Sequence, residues 1–224
     1  MLLERPVIAI NLKTYSESLG ENAIEIAKAI EQIQTDQTPK YNPIIAPQAV
    51  DIRLLAKQTK INIFAQHAEA FDYGRNTGYN IVKSMKDAGA KGLIINHSEH
   101  KIELNKIEDV ITAAKKEKMY VICCADTINQ ARAVACFEPD FVAIEPPELI
   151  GTDTSIAKED PDLIKKIVKK IRFIQYNARI LIGAGIKTRN DVDICVKNGA
   201  NGVLLASGVV KAKNISAVLF ELFG

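Results

Sequence analysis

The chain has 224 residues, 47% of them hydrophobic and 25% charged, with a formal net charge of +2. This composition is ordinary for a globular protein that buries its own core, and so even a charge balance excludes a broad nucleic-acid footprint or a polybasic membrane signal. No apolar run is long enough to cross a bilayer, the richest (203–210) being broken by Ser207 and Gly208.

At the N-terminus Glu4, Arg5 and Pro6 interrupt the apolar residues at once, which argues against a signal peptide. Residues 7–10 then read as a first strand, and Ile24, Ala27, Ile30 and Ile33 recur at helical spacing. A second strand at 44–46 lies between Pro43 and Pro47, followed by a short helix at 52–57, a strand at 61–65 and a helix at 80–88. The fourth strand is expected at 92–95, and Leu104, Ile107, Ile111 and Ala114 form the next helical face. Residues 120–124 make a fifth strand that ends in Cys123 and Cys124, which should face opposite sides of it. With Cys136 and Cys195 these are expected to be buried, reduced thiols of a cytoplasmic protein, since no C-x-x-C pair suggests a metal or redox site. A helix at 127–136, a strand at 141–144 and the apolar face Leu163, Ile164, Ile167, Val168 and Ile171 follow, with residues 151–160 as the one long stretch lacking a clear element. Strands at 179–182 and 202–205 flank a helix at 191–198, and Ile215, Val218, Leu219 and Leu222 close the chain as an amphipathic helix.

The strands are continuously apolar, as expected when helices cover both faces of a parallel sheet. Eight strand–helix units without a linker suggest one domain over 1–224, an α/β single parallel (β/α)8 barrel. Alternation alone leaves a doubly wound open sheet as the other architecture.

In a parallel barrel the ligand meets the residues that follow each strand. Asn11 and Lys13 follow the first, Asn96, His97, Ser98 and Glu99 the fourth, Glu145 the sixth, Gly183-Ala184-Gly185 the seventh, and Ala206-Ser207-Gly208 the eighth. Singly, each has an unremarkable reading: lysine as a solvated charge, histidine as a bonded loop residue, glycines as tight turns. Glu145 is the exception, because a carboxylate at the end of an apolar strand is costly to bury without a purpose. Together, a carboxylate with a histidine suggests proton movement, and small-residue turns with a lysine suggest an anion held by main-chain N–H groups. The residues alone point to a barrel enzyme that handles a phosphorylated small molecule by acid–base chemistry.

The ordered set Asn11-Leu12-Lys13, His97-Ser98-Glu99, Ala143-Ile144-Glu145-Pro146, Ile150-Gly151-Thr152, Gly183-Ala184-Gly185-Ile186 and Leu205-Ala206-Ser207-Gly208 resembles triosephosphate isomerase along the whole chain. The short length, Glu145-Pro146-Pro147-Glu148-Leu149-Ile150-Gly151 and the Ala206-Ser207-Gly208 turn are similar to the archaeal branch. The resemblance implies a cytoplasmic enzyme of glycolysis and gluconeogenesis. It would interconvert dihydroxyacetone phosphate and D-glyceraldehyde 3-phosphate by proton transfer through an enediolate. It implies Glu145 as the base, His97 as a neutral electrophile, and Lys13 with Asn11 at the substrate oxygens. The phosphate would be held around Leu12, Lys13, Ile150, Gly151, Gly185, Ala206 and Ser207. It further implies no metal or other cofactor, a homo-oligomer with the tetramer favoured over the dimer, and a closing lid over 146–158. Glu148, Gly151-Thr152-Asp153, Ile182 and His100-Lys101 depart from the commoner pattern of the family, at the lid and its latch and after Glu99. A Schiff-base aldolase on the same barrel would need a lysine where Glu145 stands, and a non-catalytic phosphate-binding protein would have no need of Glu145 with His97.

Overall fold

The computed structural model describes residues 5–36, 40–145, 157, 160–183 and 185–223. Eight strands carry the architecture: β1 Val7–Asn11, β2 Asn42–Ala46, β3 Asn62–Ala65, β4 Gly92–Ile95, β5 Tyr120–Ala125, β6 Phe141–Ile144, β7 Ile180–Ile182 and β8 Gly202–Leu205. Each pairs in parallel with the next, and β8 returns to β1 with Val7 opposite Gly202 and Ile10 opposite Leu205. The sheet therefore closes as a barrel, which excludes the open doubly wound alternative.

Closure divides the strand residues into two apolar sets, because successive side chains point to opposite faces. Val7, Ala9, Ile44, Phe64, Ile94, Ile122, Phe141, Ala143, Leu181 and Leu204 fill the inside of the barrel. Ile8, Ile10, Ile45, Leu93, Val121, Val142, Ile180 and Val203 face out against the helices. The alternation explains the continuous apolar strands: neither face meets water. Cys123 belongs to the outer set and Cys124 to the inner one, as their adjacency requires.

The helices dock by single stripes. In α1 (Glu21–Asp36) the buried residues include Ala23, Ile24, Ala27 and Ile30. The helices α2 (Ile52–Gln58), α3 (Val82–Ala88), α4 (Leu104–Lys116) and α5 (Ile128–Ala135) follow. The sharpest segregation is in α6 (Pro161–Arg172), where Ile164, Ile167, Val168 and Ile171 are buried under a basic outer face. Its start is set by Pro161 in the first turn and by the Asp160 carboxylate, which accepts the Leu163 N–H at 2.9 Å. The series ends with α7 (Arg189–Lys197), a one-turn α8 (Ser207–Val210) and α9 (Ile215–Phe223).

Three features differ from the sequence expectation. The helix expected from Asn80 starts two residues later, so that residues 66–81 form one long excursion after β3. Glu69 donates no strand of its own, but its N–H bonds Asn80 O and its carbonyl accepts from Val82 N, so the helix starts only at Val82. Ser207–Val210 form a helical turn where only a loop was expected. Cys136 is exposed, not buried, because it lies past the last docked turn of α5, and all four cysteines are free. The expected loop at 151–160 and lid at 146–158 lie outside the described residues except for Ala157 and Asp160. Among the described residues, no helix is long and apolar enough to cross a membrane.

Candidate active site

At the C-terminal ends of the strands a cavity of about 550 Å³ opens into the barrel, lined by Asn11, Lys13, His97, Glu145, Gly185 and Ser207 among others. The alternation that fills the interior also aims Asn11 and Glu145 inward, one position beyond Ala9 and Ala143 in their strands' inner set. Glu145 is pinned by its own backbone: its N–H bonds Ala125 O at 3.0 Å, and the preceding Ile144 O accepts from Gly183 N at 2.9 Å.

His97 needs a different device. Asn96, with a φ of 55°, occupies the left-handed region and turns the chain at the end of β4. Its side chain secures that turn, donating to Cys124 O at 2.9 Å and accepting from Ile102 N at 3.2 Å. The His97 ring then faces Glu145, with Nε2 3.2 Å from Oε2. On its other side Nδ1 accepts the Glu99 N–H at 3.2 Å. A ring nitrogen that accepts a main-chain N–H carries no hydrogen, so the ring's hydrogen sits on Nε2, toward the cavity. Glu145 and His97 are both buried. Glu145 Oε2 lies at contact distance from Nε2 without hydrogen-bond alignment, and it has no hydrogen-bond partner among the described residues.

Lys13 also has left-handed backbone, φ 49°, which costs a side chain-bearing residue about 1 kcal/mol or more. Its surroundings enforce the conformation. The Lys13 N–H bonds Asn11 Oδ1 at 2.9 Å, and Gln66 Nε2 donates to both Lys13 O at 2.8 Å and Ala46 O at 2.9 Å. The ammonium pairs with Glu99 Oε1 at 2.7 Å, a partner more than half open to solvent.

Gly185, which lines the cavity, has a φ of 71°, where a Cβ would be strained. Ala206 and Ser207 line the same cavity, as do Lys187 and Lys211, with the Lys211 ammonium 4.5 Å from the centre of the Tyr15 ring. Lys187 and Lys211 thus place positive charge beside the small residues Gly185, Ala206 and Ser207.

Of the residues expected from the sequence, the structure gathers Asn11, Lys13, His97, Glu145, Gly185, Ala206 and Ser207 around one cavity. Leu12 is not brought there: its side chain is buried in the outer set, and both its backbone groups are taken, the N–H by Ala46 O and the carbonyl by Ser18 Oγ at 3.0 Å. Ile150 and Gly151 lie outside the described residues. Gln66 and Asn96 were missed as supports. Gln66 is the first residue after the third strand, the position that reveals Asn11 and Glu145 elsewhere on the rim, so the same rule applied to every strand finds it.

Near Glu145 the Cys124 thiol is pushed well up by burial, with the Glu145 charge adding to the effect, and burial pushes Cys123 up to about 12. Both are therefore packing groups rather than nucleophiles. Among the described residues no three His, Cys, Asp or Glu side chains converge as metal ligands would.

A family model described as triosephosphate isomerase matches residues 6–221. The triosephosphate isomerase of Methanocaldococcus jannaschii is 41% identical over 216 residues, which covers 96% of this chain and 98% of that protein. That of Methanothermus fervidus is 40% identical over 220 residues, 98% of each chain, and that of Methanosarcina acetivorans 38% identical over 217 residues, 97% of each. A closed barrel, a carboxylate facing a histidine in its mouth and a match over nearly the whole length lead to one conclusion: the chain belongs to the triosephosphate isomerase family and interconverts dihydroxyacetone phosphate and glyceraldehyde 3-phosphate, a step of glycolysis and gluconeogenesis.

Proposed function

We propose that the reaction runs through an enediolate, with Glu145 as the base and His97 as the group that serves the substrate oxygens. The observation that carries this reading is the pair itself: a buried carboxylate oxygen without a hydrogen-bond partner among the described residues, 3.2 Å from an imidazole Nε2. Glu145 removes a proton from the carbon beside the carbonyl and returns it to the former carbonyl carbon. The charge that develops on oxygen in between is the main obstacle, and preorganised donors at that oxygen are commonly the largest catalytic term. His97 Nε2–H is such a donor, held in its tautomer by the Glu99 N–H, and it can pass a proton between the two oxygens. Lys13 adds positive charge at the same place when substrate takes over from Glu99. Asn11 both lines the cavity and anchors the Lys13 backbone. Gly185, Ala206 and Ser207, which line the same cavity, receive the phosphate.

A coupled assay on purified protein with glyceraldehyde 3-phosphate, with Glu145→Gln and Glu145→Asp beside the wild type, tests the assignment. Rapid turnover is expected in the wild type. The amide should abolish most of it, and the shortened carboxylate should lower kcat about 10²-fold, since small misplacements of a base cost that much. An unchanged kcat in Glu145→Asp would remove Glu145 as the base.

The chain is further read as a cytoplasmic homo-oligomer, a tetramer in preference to a dimer. Support comes from the 66–81 excursion, which exposes Phe71, Tyr73 and Tyr79 beside a groove of about 790 Å³ shared with α3 and α4. Aromatic side chains clustered at a groove are what an interface between copies uses. Free thiols throughout fit a reducing compartment.

A further inference from the structure

The turn after β7 contains a glycine whose smallness has no use in anion binding. Gly183 is the first residue past Ile182, and its N–H is spent in the sheet, on Ile144 O at 2.9 Å. It is not in the left-handed region, so its backbone conformation is open to other residues. What sets it apart is its neighbour. Ile144 pairs with Ile182 in the β6–β7 register, so the next residues, Glu145 and Gly183, lie side by side. Both belong to the inward-facing set that contains Ala143 and Leu181. A Cβ on Gly183 would stand 2.2 Å from Glu145 Cγ, 2.7 Å from Oε1 and 2.8 Å from Cδ, and these are its three nearest atoms. The space that any other residue's Cβ would fill is occupied by the carboxylate arm.

We infer that Gly183 is a positioning residue for the base: the missing side chain forms the bay in which Glu145 lies, against β7 and 3.2 Å from His97 Nε2. The inference rests on Glu145 being the base. A methyl group at Gly183 displaces the arm by about 1 Å or more, the scale of misplacement that costs about 10²-fold in rate. Gly183 has ordinary backbone and is not itself one of the residues assigned to the phosphate, so substrate affinity is retained.

The test is a kinetic cycle with Gly183→Ala, Glu145→Ala and their double variant, with Glu145→Asp beside it, each followed by thermal melting. Gly183→Ala should lower kcat about 10²-fold, with KM within about threefold of the wild type. Because it acts only through the Glu145 arm, it should lower the residual kcat less than about threefold further in the Glu145→Ala background, where Cγ and the atoms beyond it are gone. Full loss again in the double variant, an unchanged kcat in Gly183→Ala, or a large rise in KM with kcat intact would each overturn the inference. If Glu145→Asp itself leaves kcat unchanged, the base assignment fails; if only Gly183→Ala does so, the bay alone fails. Should Gly183→Ala not fold, Glu145→Ala is combined with it. A cooperative melt restored in that double variant shows that the clash is with the carboxylate arm, whereas a chain that remains unfolded shows that Gly183 serves something else.

Discussion

Single residues in this barrel are held by more than their place in a strand. Lys13 and Asn96 both take left-handed backbone without being glycine, and each is fixed by a side-chain amide: Gln66 and Asn11 for the first, its own for the second. Strain of this kind persists where the surroundings over-determine it, and of the four such residues described these two flank the site, whereas Lys118 and Glu138 lie away from it. A third constrained residue, His67, follows β3 on the same rim. Its ring stacks on His100 with centroids 4.2 Å apart, and its pKa is lowered by burial first and by His100 second, against an opposing pull from Glu69. The sign follows from linkage. A histidine with a folded pKa below its unfolded value of about 6.5 binds protons more readily when unfolded. Its contribution to stability is present above that value and is lost as the pH falls from there to the folded pKa. The melting temperature of the wild type should therefore drop on acidification from pH 7 toward 5, and His67→Gln should flatten that part of the profile. Parallel profiles for the two proteins would show that His67 is not responsible.

At the level of elements, boundaries are set by caps that join the functional loops to the scaffold. The α7 helix begins with a capping box: Thr188 Oγ1 accepts the Asp191 N–H at 3.2 Å, while Asp191 Oδ2 accepts from Thr188 N at 3.0 Å and from Lys187 N at 3.1 Å. The buried Asp191 thus ties the end of the β7 turn, the proposed phosphate wall, to the first turn of the helix. Thr188→Ala should cost about 1 kcal/mol. In a chain of this size that lowers the melting temperature by about 2–4 °C, and Thr188→Ser should recover most of it. Calorimetry on the three proteins checks this. Equal melting temperatures would mean that the loop is held without the cap. Periodicity placed α4 and α6 well, because their apolar stripes are long, and it misplaced the start of α3, because Ile81 is apolar yet pairs as a bridge with Glu69.

For the whole molecule the barrel is one closed sheet without free edges, and the groove beside the 66–81 excursion is a surface where aromatic side chains remain uncovered. Phe71 and Tyr79 pack edge to face at 5.1 Å within the excursion and leave Tyr73 outermost. If copies associate there, light scattering on the purified chain should give a multiple of 24.6 kDa, four copies being the expected number. Tyr73→Asp with Phe71→Asp should shift the mass toward that of one chain. A wild type that scatters as a single chain at micromolar concentration would end the oligomer reading.

How much was legible in the sequence depends on the range of the interaction involved. Eight strands and their order followed from local apolar runs and turn residues, and the rim position of Asn11, Lys13, His97 and Glu145 followed from the rule that loops after parallel strands face one end. The family resemblance rested on the same local motifs. Closure of β8 onto β1 was decided only in three dimensions, because an open sheet and a barrel share one pattern of strands and helices. So were the Gln66 bridge to Lys13, 53 residues away, and the bay at Gly183 for a carboxylate 38 positions earlier in the chain. Leu12 marks the boundary between the two. Its motif placed it in the site, but the pleat turned it outward to the helices, since neighbours on a strand cannot share a face.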